Sequence, residues 1–205
     1  GYIGKVGYDP WGDMGDTWMT AAGVDTTYMY RDHSVSTGTG LIMVDDEGYN
    51  TIVDGDSACE ALTIDETRNA IAAMKEAKYF ITGFGMPYRK ALDGAKIAKE
   101  EFGMTTLCNA SPLPDEDMGD LSYLDYLVLN DDEAKVLAGL PEHYEEPWEH
   151  NVRSLRDRLG TRGVVMTCAE HGNAVLDDGY RSIPPIPVTE VVPEAAGRCH
   201  LAAMA

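Results

Sequence analysis

The run Asn130-Asp131-Asp132-Glu133 lies where an apolar, β-type segment at residues 126–129 gives way to a helical one at 131–138. An amide and a carboxylate at the end of a strand and the start of a helix can hold water around Mg2+ beside phosphate groups. The same residues also suit a plain helix start, because Asn is a good N-cap and acidic side chains in the first turn complement the helix dipole. Local sequence leaves both readings open. His171, in the segment Thr167-Cys168-Ala169-Glu170-His171-Gly172, is a general base by residue type, but on a turn just before a glycine it reads as a surface side chain. Arg198 cannot accept a proton near neutral pH, since its pKa exceeds ~12. Its two readings are a phosphate contact and a residue with no role. Cys59, Cys108, Cys168 and Cys199 are far apart and form no C-x-x-C pair, so they read as buried small residues rather than a zinc site or disulfide framework.

These residues need a scaffold, and the chain alternates apolar strands with helical segments, the pattern of βαβ units on a mostly parallel sheet. Residues 2–6 read as a strand and 13–22 as a helix closed by Gly23. Residues 27–53 turn β-branched and aromatic, with strands at 41–44 and 50–53 flanking Asp45-Asp46-Glu47-Gly48, a hairpin signal. A small antiparallel sheet inserted in an α/β chain is expected there. Thr63 with Glu66 forms a capping box for a helix carrying Ile64, Ile71 and Met74. A strand at 79–82 follows, then a helix with Pro87 in its first turn. Further strands are expected at 105–108, 126–129, 164–167, 173–176 and 181–183, with helices at 131–138 and 148–159. Residues 140–147, rich in Glu and Pro, read as a surface loop.

With 205 residues and 44% apolar content the chain can bury one sizeable core. The formal net charge of −19 repels phosphate backbones and anionic lipid surfaces, so nucleic acid and membranes are excluded as partners. No stretch reaches the roughly 20 apolar residues that span a bilayer, and a cytoplasmic location is expected.

Several motifs, in order, resemble the ribokinase or phosphofructokinase B family of ATP-dependent sugar and nucleoside kinases. Gly4-Lys5-Val6-Gly7-Tyr8-Asp9-Pro10-Trp11-Gly12 is similar to the family's G-x-V-G-x-D-x-[FW]-G stretch, and Gly23-Val24-Asp25-Thr26 to its G-V-D-T. Thr37-Gly38 through Asn50-Thr51-Ile52 resembles the lid over the sugar. Asn130 and Glu133 match N-x-x-E, which implies water-mediated Mg2+ binding. Residues 167–172 resemble T-x-G-x-x-G, which implies nucleotide contacts by Thr167, Ala169 and Gly172. The family's first glycine is Ala169 here, and a positive φ at that position would strain the loop by about 1 kcal/mol.

Val192-Pro193-Glu194-Ala195-Ala196-Gly197-Arg198 resembles D-T-x-[GA]-A-G-D, so Ala195, Ala196 and Gly197 fall on the anion hole. The family's final Asp, its catalytic base, is Arg198. Its first Asp, associated with a monovalent cation, is Val192, which argues against that cation. The acidic residue that contacts the sugar corresponds to Gly85. The resemblance also implies that sequence preceding Gly1 and following Ala205 is missing. The expected fold is α/β and ribokinase-like, a mostly parallel doubly wound sheet with a small antiparallel β lid. Residues 1–205 form one incomplete domain, with 25–57 as the lid. The implied function is an ATP- and Mg2+-dependent kinase of ribose-like sugars, catalytically impaired because Arg198 replaces the base. The alternative is a non-catalytic nucleotide-binding or assembly protein on the same scaffold. A homodimer through the β lid is expected.

Overall fold

The computed structural model describes residues 1–46, 50–85, 87–139, 148–187 and 202–205. Val192, Ala195, Ala196, Gly197, Arg198 and Cys199 lie outside the described residues, as do the loop at 140–147 and part of the 45–48 turn. The chain divides into two compact units, Gly1–Lys75 and Glu76–Ala205.

In the first unit, β1 (Ile3–Gly7) leads into α1 (Pro10–Ala21), and β2 (Tyr28–Asp32) returns to pair with β1 in parallel. The helix starts three residues earlier than its apolar pattern suggests. Asp9 is its N-cap, accepting from the Gly12 amide, and Pro10 occupies the first helical position, where a missing N–H costs nothing. An antiparallel hairpin of β3 (Gly40–Val44) and β4 (Asn50–Asp54) follows, then a 3-10 turn and α2 (Ile64–Ala73). The capping box of Thr63 and Glu66 forms as read. The antiparallel part of the 27–53 region is therefore the hairpin alone, since β2 runs parallel to β1.

Lys5, on the centre of β1, is only 8% exposed. Its ammonium lies 2.8 Å from Glu66 and 3.9 Å from Asp32 and donates to the Ala61 carbonyl, which satisfies a charge that would be costly to bury alone. Burial works against the Glu66 carboxylate, but hydrogen bonds from Lys5 and Thr63 outweigh it and hold its pKa below the usual value.

The second unit is built on one sheet in the order β10-β9-β8-β7-β6-β5. β5 (Tyr79–Gly83), β6 (Thr105–Asn109), β7 (Tyr126–Asn130) and β8 (Gly163–Thr167) are parallel. β9 (Asn173–Leu176) and β10 (Tyr180–Ile183) close the far edge antiparallel. α3 (Tyr88–Glu100) packs on β5 and β6, while α5 (Trp148–Leu159) packs on β8, β9 and α4 (Asp131–Ala138). Pro87 sits one residue ahead of α3, as its cap, because its ψ of 116° is extended rather than helical.

Alternate strand residues take opposite faces. Leu127, Leu129, Val164, Met166 and Leu176 join the helices in the main core, whereas Leu107, Val128, Val165 and Val175 form a second cluster that Met204 packs against. Burial on both faces explains why these strands read as continuous apolar runs. On α5 the side-chain amide of Asn151 is fully buried and has no hydrogen-bond partner among the described residues. Cys108 and Cys168 are buried as expected, and burial pushes the Cys108 thiol up to about 12, so it is inert. Cys59 is only half-buried. Among the described residues no helix is long and apolar enough to cross a membrane.

Candidate functional site

Parallel register brings the carboxyl ends of the parallel strands level: Gly83 lies opposite Asn109, and Asn130 opposite Thr167. Open α/β sheets bind ligands in the crevice beyond this edge. Two motifs 37 residues apart in the chain thus become neighbours on β7 and β8.

Asn130 caps α4. Its side-chain oxygen accepts from the Glu133 amide, and the Glu133 carboxylate accepts from the Asn130 amide, each at 2.8 Å. The helix-start reading is therefore realised in the geometry. It does not consume the groups, because the Asn130 carboxamide nitrogen and the other Glu133 oxygen take no part in the box. Lys135 neutralises the rest of the acidic turn, bonding Asp131 at 3.3 Å and Asp132 at 3.2 Å and raising its own pKa through them. Among the described residues no group of three or more His, Cys, Asp or Glu could hold a metal ion. The donor set at Asn130 and Glu133 fits Mg2+ held through water and phosphate, the way this hard, reluctantly dehydrated ion is usually bound.

After β8 the chain makes a tight turn. The Thr167 hydroxyl leans toward the Leu129 carbonyl, and the Cys168 amide donates to the Gly172 carbonyl at 2.8 Å. Gly172 has φ 89°, and a side chain there would collide with the Ile183 carbonyl, so glycine is required. Ala169 has φ 44°, the only positive φ at a described non-glycine residue. The strain anticipated for Ala at this position is present. Ala169→Gly should raise stability by about 1 kcal/mol, read as a shift in the urea midpoint. A lowered midpoint would show that the loop relaxes around alanine at no cost. His171 is exposed on this turn, as its position suggested.

Against this geometry, the family model for pfkB family carbohydrate kinases matches residues 1–200. The chain belongs to that family. It is 29% identical over 174 residues to a ribokinase of Staphylococcus aureus, covering 83% of this chain and 56% of the relative. The ribokinase structure from Thermotoga maritima superposes with a TM-score of 0.79 at 22% identity, over 95% of this chain and 63% of that one. Arabidopsis thaliana ribokinase, solved with ribose and ATP, gives 0.77 at 20% identity, over 98% and 66%. The chain thus spans little more than half the length of the S. aureus relative. The ribokinase-like α/β fold is shown by these neighbours.

Thr37 and Gly38, which the motif resemblance would assign to a lid, lie in the first unit, at the root of the β3–β4 hairpin. The Asp9 carboxylate accepts from the Thr37 amide and hydroxyl, both at 2.7 Å, and the Thr37 hydroxyl accepts from the Gly7 amide at 2.9 Å. The amide of Thr37, then that of Gly12, holds Asp9 below the usual carboxylate range. Asp9 stands within the Gly4–Gly12 motif, and the Asp-Pro pair ahead of a helix is the local signal of its capping role; nothing local points to Thr37.

Proposed function

We propose that this pfkB chain binds ATP with Mg2+ at the carboxyl edge of β7 and β8 and derives from a kinase of ribose-like sugars whose transfer step Arg198 has disabled. The observation that carries the reading is the adjacency of Asn130 and Thr167 on paired strands, with Glu133 held beside them by the capping box. Asn130 and Glu133 would orient water on Mg2+, which would supply charge neutralisation along the phosphates. Thr167, Ala169 and Gly172 would let the backbone approach the nucleotide. Ala195, Ala196 and Gly197 would offer amides to the terminal phosphate. The ribose and ATP held by the Arabidopsis relative support this choice of ligands.

Calorimetric titration with ATP tests it. Binding should require Mg2+, and both Asn130→Ala and Asn130→Ser should weaken it about tenfold, one hydrogen bond to a charged partner. Ser is as good an N-cap as Asn, so it separates the two roles. Wild-type affinity in Asn130→Ser would leave Asn130 as a cap only.

A second reading, an assembly protein, is favoured by the hairpin. Leu41 is 63% exposed and Ile42 57%, and Val44, Ile52 and Val53 are also open to solvent, so both faces of an isolated two-stranded ribbon are apolar. Such a ribbon is marginal in water, and pairing with the same ribbon of a second copy buries it. Light scattering at micromolar concentration should give a dimeric mass that Ile42→Asp converts to monomer. A monomeric wild type would reject the dimer.

A further inference from the structure

We propose that Asp9 is a positioning residue of the lid, its carboxylate latching Thr37 and so fixing the direction in which the β3–β4 hairpin leaves the first unit. The inference rests on reading that hairpin as a lid over a bound sugar.

An N-cap needs one acceptor, and the Gly12 amide already takes it at 2.9 Å. The two further hydrogen bonds, to the amide and hydroxyl of Thr37, serve no helix; they tie the β1–α1 loop to a residue 28 positions away. Space around the latch is cleared for it. A side chain on Gly7 would strike Asp9, the Thr37 amide and the Val35 carbonyl, and one on Gly12 would lie 2.9 Å from the Thr37 hydroxyl. The two roots of the hairpin are then sealed to each other. The Ala58 amide donates to the Ser36 carbonyl at 2.9 Å, the Gly55 amide to that of Thr39 at 3.3 Å, and Gly38 abuts Ser57 too closely to carry a side chain. Every residue of β3 is exposed, so orientation must come from the root. A five-residue strand is a lever of ~17 Å, so ~10° of play at the root moves its tip by ~3 Å.

Three variants separate latch from cap. Asp9→Asn preserves the cap but turns an NH2 toward the Thr37 N–H. Thr37→Val removes the hydroxyl and leaves the cap alone. Thr37→Ser keeps both. Residue-resolved hydrogen exchange on the full chain should show the amides of Gly55 and Ala58, which neither substitution touches, exchanging about tenfold faster in Asp9→Asn and Thr37→Val. The α1 amides should stay at wild-type rates, and Thr37→Ser should match wild type. Ribose affinity should fall about tenfold in the same two variants. Unchanged Gly55 and Ala58 rates in both variants would overturn the latch, and so would parallel loosening of α1, which would make Asp9 a cap alone. No ribose binding by the wild type, with the exchange pattern as expected, would instead remove the sugar reading and leave the latch in place.

Discussion

Purified chain supplied with ribose, ATP and Mg2+ is expected to show no turnover above the uncatalysed background in an assay coupled to ADP release. A sugar hydroxyl must lose its proton as it attacks phosphorus, and the motif resemblance implies that the family's carboxylate base falls on Arg198 here. A guanidinium stays protonated at any pH a kinase works at, so it can attract phosphate but not receive the proton. Loss of a general base typically costs 10²- to 10⁴-fold, and loss of substrate positioning adds to it. Arg198→Asp alone should not restore turnover, because by the same resemblance Val192 and Gly85 fall where the family would have carboxylates beside the cation and the sugar. A side chain at Gly85 would meet nothing within 4 Å among the described residues. Robust wild-type turnover would refute the impairment. Recovery in Arg198→Asp would show that the rest of the site is intact.

Asp125→Ala should lower the stability of the unit containing the six-stranded sheet by about 3 kcal/mol, read from denaturant unfolding. This carboxylate, at the amino end of β7 and 5% exposed, accepts from Lys99 on α3 at 2.7 and 2.8 Å and from the Thr106 amide at 2.9 Å. Alanine would leave the buried Thr106 N–H without an acceptor and free Lys99 from its anchor. Lys99 is itself about one-third exposed and can turn to water, which keeps the loss at the lower end for a broken ion pair. Burial alone would raise the Asp125 pKa, but the Lys99 and Thr106 hydrogen bonds outweigh it and bring the folded value below the ordinary one. The contribution is then fully present above the unfolded carboxylate pKa of ~3.9 and disappears as pH falls through the lower folded value. Wild type and Asp125→Asn should therefore differ at pH 7 and converge in strong acid. A constant difference across that range would mean the pair's ionisation is not what stabilises the fold.

Sequence alone determined what is decided within a few residues of the chain. The capping box at Thr63, the bounds of α4, α5 and β9, and the hairpin at β3 and β4 follow from cap residues, apolar runs and turn signals that act locally. That a guanidinium such as that of Arg198 cannot accept a proton near neutral pH is likewise a matter of residue type and needs no coordinates. Tertiary structure decided what depends on distant partners. Lys5, a charge on a strand, could be buried only because Glu66 and the Ala61 carbonyl arrive from two later elements. β2 reads equally well as a lid strand until its register with β1 makes it parallel. Asp9 looks like a cap until Thr37 folds back onto it, and the strain at Ala169 existed only conditionally until the turn at 167–172 set its φ to 44°. Caps and turns are satisfied by neighbours in the chain, whereas buried charges, strand partners and latches are satisfied across it, and only the folded backbone says which groups meet.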